Sequence, residues 1–240
     1  PEAALRAAAA RPLRYAPGAG RHYSDLGFQL LGAAVAAITG RDLATAVRQL
    51  VLGPLGLSRT RCGRPAAGAP VCASSTGDRI ERRMIDTGEP YPVDGDPATF
   101  ARWRTHVLAG EVNDGNAFHA FGSVAGHAGL FSSAADMLRF GDALLAGLDG
   151  YGPLPAAAVR RFLTAGADPV QGLGFRAWPS RSGEVWGHGG FPGVVVAIVP
   201  ELGASVALVT NRLHVAGDPR PTAAMWEIAL PAALEHCGVR

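Results

Sequence analysis

The sequence predicts an α+β fold, a mainly helical region followed by an antiparallel sheet with a covering C-terminal helix. Three observations carry this. After Ser24 and Asp25, both good helix N-cap types, the apolar residues Leu30, Leu31, Ala34, Val35 and Ile38 recur at helical spacing up to Gly40. In the last third, Val185–His188, Val194–Val199 and Ser205–Thr210 are short runs, mostly β-branched, separated by Gly/Pro turns, the pattern of an antiparallel meander. A final amphipathic stretch from about Thr222 to Leu234 suits a helix lying across that sheet. The chain reads as one domain, 1–240, with the helical and loop region over 12–175 and the strands and last helix over 176–240.

Taken in order, Ala3 to Ala10 is an alanine-rich helix that ends before Pro12, and Pro17-Gly18 forms a turn. Leu26 to Ile38 is the longest apolar run; it contains Gly27, Gln29 and Gly32 and reads as a buried helix. Asp42 caps a second helix through Leu52, stopped by Gly53-Pro54. From Ser58 to about Pro97 periodicity is poor, which suggests a long surface excursion with short strands. Phe100 to Ala109 forms a short helix or strand, and Gly110 to Gly129 an irregular loop. Ser132 or Ser133 caps a helix that closes at Gly147, and another runs near Pro155 to Leu163.

Composition narrows the chemistry. All 22 basic residues are arginine, and the chain has no lysine. No lysine can therefore act as a base, form a Schiff base or cradle a phosphate, which argues against P-loop and pyridoxal-phosphate chemistry. The net charge of +2, with dispersed arginines, gives no basis for a nucleic-acid partner. No stretch reaches the roughly eighteen apolar residues of a membrane span. Cys62 and Cys72 flank a Gly/Pro-rich loop and fit either a small disulfide or buried free thiols, as Cys237 fits a free thiol; none has zinc or redox spacing.

Four ordered segments carry a resemblance. They are Tyr23-Ser24-Asp25 after the Pro17-Gly18 turn, Gly53-Pro54-Leu55-Gly56-Leu57-Ser58-Arg59-Thr60, Gly126-His127-Ala128-Gly129-Leu130-Phe131-Ser132-Ser133, and Gly187-His188-Gly189-Gly190-Phe191-Pro192-Gly193. Together, over roughly residues 12 to 215, they resemble the serine β-lactamase and penicillin-binding-protein superfamily, class C-related serine hydrolases included. The resemblance implies a β-lactamase/transpeptidase-like fold and an acyl-enzyme mechanism. It implies Tyr23 as the phenol that relays the nucleophile's proton, Asp25 in the position usually held by Asn, and His188 in place of the Lys-Thr-Gly lysine. It also implies the Phe191 N–H as an oxyanion donor, with Gly189 and Gly190 letting the strand approach the acyl group closely. His127 is expected either to line the cleft with the substrate-binding residues or to hydrogen-bond loop backbone.

Three departures matter. An ionised Asp25 repels an anionic substrate, and Gly189 lacks the hydroxyl that usually holds a substrate carboxylate. Both lean away from an efficient β-lactamase and toward a D,D-peptidase or esterase. The third departure is decisive: without lysine there is no Ser-x-x-Lys, and Ser58-Arg59-Thr60-Arg61 cannot replace it because arginine stays charged. The chain is therefore expected to be N-terminally incomplete, lacking the first helix, first strands and nucleophile helix of the resembled fold. A non-catalytic relative binding peptidoglycan-like or acyl ligands is the other reading.

The remaining candidates are structural. Asn113-Asp114-Gly115-Asn116 lacks the alternating ligands and terminal Glu of a calcium loop and reads as a tight turn, although the resembled subgroup carries His-Asp-Glu-Asn-Ala near here. His22, His106, His119, His214 and His236 form no metal spacing. Trp178 and Trp186 are expected in the core or cleft wall, and Asp136 and Arg139 in fold contacts. The expected partner is a small-molecule or peptide-like substrate, with no cofactor or metal. The resemblance favours an extracytoplasmic location.

Overall fold

The computed structural model describes residues 1–89, 96–180 and 183–236. α1 (Glu2–Ala9) precedes α2 (Asp25–Thr39), whose start is fixed by Ser24: its Oγ accepts the Gly27 N–H at 3.0 Å. Gly40, in the left-handed region at φ 63°, ends α2 where a side chain would be strained. α3 (Leu43–Val47) is capped by Asp42 and widens into a π-helical turn over Arg48–Leu52, closed by Gly53 N–H donating to Arg48 O at 2.8 Å. The helix expected through Leu52 is present, with its last turn unwound.

β1 (Arg61–Cys62) and β2 (Ala73–Thr76) lie in the expected excursion, but so does a helix that periodicity did not reveal, α4 (Arg79–Thr87). β3 (Val107–Ala109) pairs with β2. The expectation of an irregular loop over Gly110–Gly129 is corrected by α5 (Gly115–Phe121), which starts where Asp114 Oδ1 accepts the Ala117 N–H at 2.7 Å. The anticipated tight turn at Asn113–Asn116 is thus a helix start. β4 (Leu130–Phe131) pairs with β1, and α6 (Ala134–Leu148) and α7 (Ala156–Phe162) follow as expected, α6 capped by Ser133.

The main sheet runs β5 (Arg176–Ser180), β6 (Gly183–Gly190), β7 (Val194–Val199), β8 (Ala204–Val209), every neighbour antiparallel. β5 is an addition to the expected meander. Alternation along the strands sends Val185, Val195, Ala197, Val199 and Val206 to one face, where they meet Trp226, Leu230 and Leu234 of α8 (Thr222–His236). Trp186, Ile198 and Ala177 point to the other face, against Leu144 of α6 and Val159 and Leu163 near α7. Burying each of the large side chains contributes about 1.5–3 kcal/mol, so the two-sided covering sets the sheet's register firmly. Both tryptophans lie where expected, Trp186 in this core and Trp178 beside Trp226.

Two further expectations are corrected, the second only as to burial. α2 is not a buried helix, since only Gln29 and Gly32 are buried while Leu31 and Ile38 are 59% and 84% exposed. Its outer face meets no covering element among the described residues. Cys62 and Cys72 are free thiols, but Cys72 is exposed; Cys237 lies outside the described residues. Among the described residues no single helix is long and apolar enough to cross a membrane.

Candidate functional site

Asp136 anchors the frame on which the site hangs. It is buried, and its Oδ2 accepts the Arg59 N–H and the Thr60 hydroxyl, each at 2.8 Å. This ties the Gly53–Thr60 segment to the first turn of α6. A second anchor is the buried pair of Asp78 and Arg104. Arg104 donates its backbone N–H and its Nε to Asp78, each at 2.8 Å, and its other nitrogens to Val112 O at 2.7 Å and Asn113 O at 2.8 Å. The guanidinium thus holds in place the two residues that lead into Asp114.

Gly126 brings the next segment against α2. A Cβ there would stand 1.9 Å from Phe28 O and 3.0 Å from Gly32 N, so only glycine lets the loop lie on the helix. The following residue, His127, points inward: its side chain is 2% exposed and its Nε2 lies 3.1 Å from Asp114 Oδ1. Neither role expected for His127, cleft lining or a bond to loop backbone, describes this contact. It is the partner of Asp114, and its Nδ1 is buried without a hydrogen-bond partner among the described residues.

Asp25, half-buried at the first turn of α2, feels this pair. Burial raises its carboxyl above the ordinary value; His127 pulls it back and Asp114 pushes it further up. For His127, burial opposes the charge, but the Asp114 hydrogen bond and the carboxylates of Asp114, Asp25 and Glu81 outweigh it and raise the imidazole. Burial also works against ionised Asp114, yet the His127 bond and the Ala117 N–H hold it low. The arrangement is an ion pair placed behind a carboxyl group that is drawn toward its neutral form.

Tyr23, two residues before Asp25, is 70% exposed. The segment that carries it is tied to the loop ahead of β5. Arg21 forms an ion pair with Asp168 and donates to Gln171 Oε1 at 3.4 Å. Gln171 bridges to Arg176, which pairs with Gly187, the neighbour of His188. Pairing with β5 stops at Gly187, so among the described residues His188, Gly189 and Gly190 pair only with Val196, Val195 and Val194 of β7. The other edge of this tripeptide has no strand partner among the described residues, and alternation puts His188 on the Trp186 face, toward the helical region.

Burial lowers the His188 imidazole below its ordinary 6.5, so near neutrality it is an uncharged hydrogen-bonding group, not a standing cation. Gly190, Phe191, Pro192 and Gly193 turn the chain into β7, with Gly193 N–H donating to Gly190 O at 3.0 Å. Arg212 fixes the turn by donating Nε to Phe191 O at 2.8 Å and lying 5.1 Å over the Phe191 ring. Asp25, His127 and Asp114 are thus brought together, while Tyr23, His188 and Phe191 are linked through the Arg21 contacts and the β5–β6 register. Sequence reasoning missed Asp114 as a partner of His127, and it missed Glu81 and the Asp78–Arg104 pair altogether. A capping Asp before Gly115 was the one signal for the first; the others lie too far apart in the chain to leave one.

The comparisons with known proteins agree with this frame. The β-lactamase family model matches residues 1–230. A protein of Escherichia coli (strain K12) named "Putative D-alanyl-D-alanine carboxypeptidase" is 31% identical over 231 residues, covering 90% of this chain and 51% of its own. The N-acetylmuramyl-L-alanine amidase of Bacillus subtilis (strain 168) is 32% identical over 217 residues, covering 85% of this chain and 47% of its own. The chain therefore spans about half the length of the curated relatives it matches. In fold it is similar to SurE, at TM-score 0.63 and 24% identity over 96% of this chain and 48% of SurE. It is also similar to the D-amino acid amidase of Ochrobactrum anthropi, at TM-score 0.57 and 21% identity over 94% of this chain and 61% of that one. This is an α+β serine-hydrolase fold of the β-lactamase and penicillin-binding-protein kind, and the chain belongs to the β-lactamase family.

Proposed function

We propose that these residues form the proton-relay and oxyanion side of a serine hydrolase that works through an acyl-enzyme on a peptide-like amide or an ester. The observation that carries the reading is the edge of β6 at His188–Gly190, which has no strand partner among the described residues and is linked through Arg21 to the segment bearing Tyr23. An acyl group laid along that edge would meet small backbone, with the Phe191 N–H as one oxyanion donor. The Tyr23 phenol relays the proton, assisted by neutral His188 as a hydrogen-bonding partner. D,D-peptidase chemistry requires another group to hold its substrate's carboxylate, because Gly189 has no hydroxyl to do so; on the same ground the hydrolysis of a peptide-like amide or an ester is favoured over lactam hydrolysis. The names of the two curated relatives point the same way. The nucleophile belongs to a Ser-x-x-Lys segment outside these 240 residues, since no lysine occurs within them.

The test uses a fluorophosphonate probe and a D-amino-acid p-nitroanilide on two proteins, these 240 residues and a longer chain that carries a Ser-x-x-Lys segment ahead of them. Labelling and turnover are expected only in the longer chain. Stoichiometric labelling of the 240 residues would place a nucleophile within them and overturn the assignment. A folded longer chain inert to both reagents would favour the ligand-binding reading.

A further inference from the structure

Gly115 is the first residue of α5, and its φ lies outside the left-handed region, so the backbone there does not call for glycine. What excludes a side chain is a neighbour. A Cβ at 115 would stand 2.3 Å from Glu81 Oε2, and Glu81 Oε1 accepts the Gly115 N–H at 2.8 Å. The Glu81 carboxylate, arriving from α4, fills the volume a residue-115 side chain would occupy. It lies against the start of α5, beside the Asp114 that holds His127.

We infer that Glu81 is a positioning residue for the site: lodged in the space beside Gly115, it fixes the Asp114 turn and sets the charge on His127 behind Asp25. This rests on the reading of the Tyr23–Asp25 region as the active site, although the coupling itself does not. The groups that face Glu81 come from four elements. They are Asp114 with the Gly115 N–H at the start of α5, Asp78 ahead of α4, Arg104 ahead of β3, and His127 of the Gly126 loop. Burial drives Glu81 up to about 7; Asp114 and Asp78 add to the rise, while the Gly115 N–H and Arg104 oppose it. His127 also titrates above its ordinary 6.5. The Glu81 carboxylate is one of the charges that raise His127. Ionised Glu81 favours the His127 imidazolium, and neutral Glu81 releases it.

The experiment follows ring resonances of His127 and the side-chain carboxyl carbon of Glu81 by NMR across pH in the 240-residue protein. Interacting groups titrate in shared macroscopic steps, so both probes should report the same two transitions in the unsubstituted chain. E81Q should lower the His127 proton affinity by about 3- to 30-fold, the size of a charge pair at a protein-like effective dielectric. The swap E81A/G115E, which returns a carboxylate from the other side, should restore it. Independent single transitions for Glu81 and His127 would overturn the inference without any variant. So would a folded E81Q chain whose His127 titration is unmoved. If His127 responds in this chain but the pH profile of kcat/KM in the longer, active chain does not move in E81Q, the coupling stands and the placing of the active site fails.

Discussion

Replacing Glu81 by glutamine removes a carboxyl group that folding forces toward its neutral form, and the stability change must depend on pH in a definite way. The group rises from 4.5 to about 7 in the folded protein, chiefly by burial. A group raised on folding contributes stability that is fully present below its unfolded value and is lost as pH climbs through its folded one. At 1.36 kcal/mol for each tenfold change in proton affinity, that rise caps the loss at about 3 kcal/mol above pH 8. Glu81 is only partly buried and its charge helps His127, so about 2 kcal/mol is the expected net figure. Glutamine keeps the acceptor for the Gly115 N–H and carries no charge. E81Q should therefore match the parent chain near pH 4.5 and exceed it by about 2 kcal/mol at pH 8.5. Urea unfolding at pH 4.5, 6, 7 and 8.5, analysed with a common m-value, checks this. A difference that stays flat with pH, or a loss that grows toward pH 8.5, would refute the placement of Glu81 in the space beside Gly115.

Three further outcomes are expected. Asp136→Ala strips one hydrogen bond each from the Arg59 N–H and the Thr60 hydroxyl; the hydroxyl keeps Ser132 Oγ at 2.8 Å while the Arg59 N–H is left unmatched, so unfolding in urea should show a loss of about 2 kcal/mol; a loss under 1 kcal/mol would mean that the Gly53–Thr60 segment is held elsewhere. In a longer, active chain, Tyr23→Phe should slow acylation by about 100-fold with little effect on substrate binding, measured by stopped-flow burst kinetics, and rates close to the parent's would remove the phenol from proton transfer. The apolar outer face of α2, with Leu31 59% and Ile38 84% exposed, should drive concentration-dependent association of the 240-residue protein. Sedimentation velocity should then show L31Q/I38Q more monomeric than its parent, and a parent chain already monomeric at high concentration would count against that face as the cause.

What the sequence made legible follows from what is local. Ser24, Asp42 and Ser133 announced three helices because a cap and the N–H it binds lie within three residues. The strand runs at Val194–Val199 and Ser205–Thr210 were readable because both faces of the sheet are covered and both faces are therefore apolar. α4 and α5 escaped because each lies in a stretch dominated by Gly, Pro and charged or polar residues, whereas α7, as short as α5, is set off by Pro155 and a run of alanines. Their punctuation was nevertheless present in Asp78 with Gly88 and Asp114 with Gly122, both glycines left-handed. α2 was misread for the opposite reason: its pattern is long and clear, but pattern alone does not say whether a partner covers the apolar side.

The site divides along the same line. Tyr23, Asp25, His188 and Phe191 could be proposed because each sits in a short run that resembles a segment of the family. The groups behind them could not, because they meet across the fold: Glu81 reaches Gly115 over 34 positions and Asp78 reaches Arg104 over 26. Such contacts do leave one trace in a sequence. Gly115 and Gly126 lie outside the left-handed region, so neither is there for its φ. Each marks a place where a neighbour, the Glu81 carboxylate or the Phe28 carbonyl, occupies the volume of a missing Cβ. A glycine inside a helix start or a loop that needs no special backbone angle is then a pointer to an unseen partner. Gly126 points to the helix that bears Asp25, and Gly115 points to the acid that sets the charge behind it.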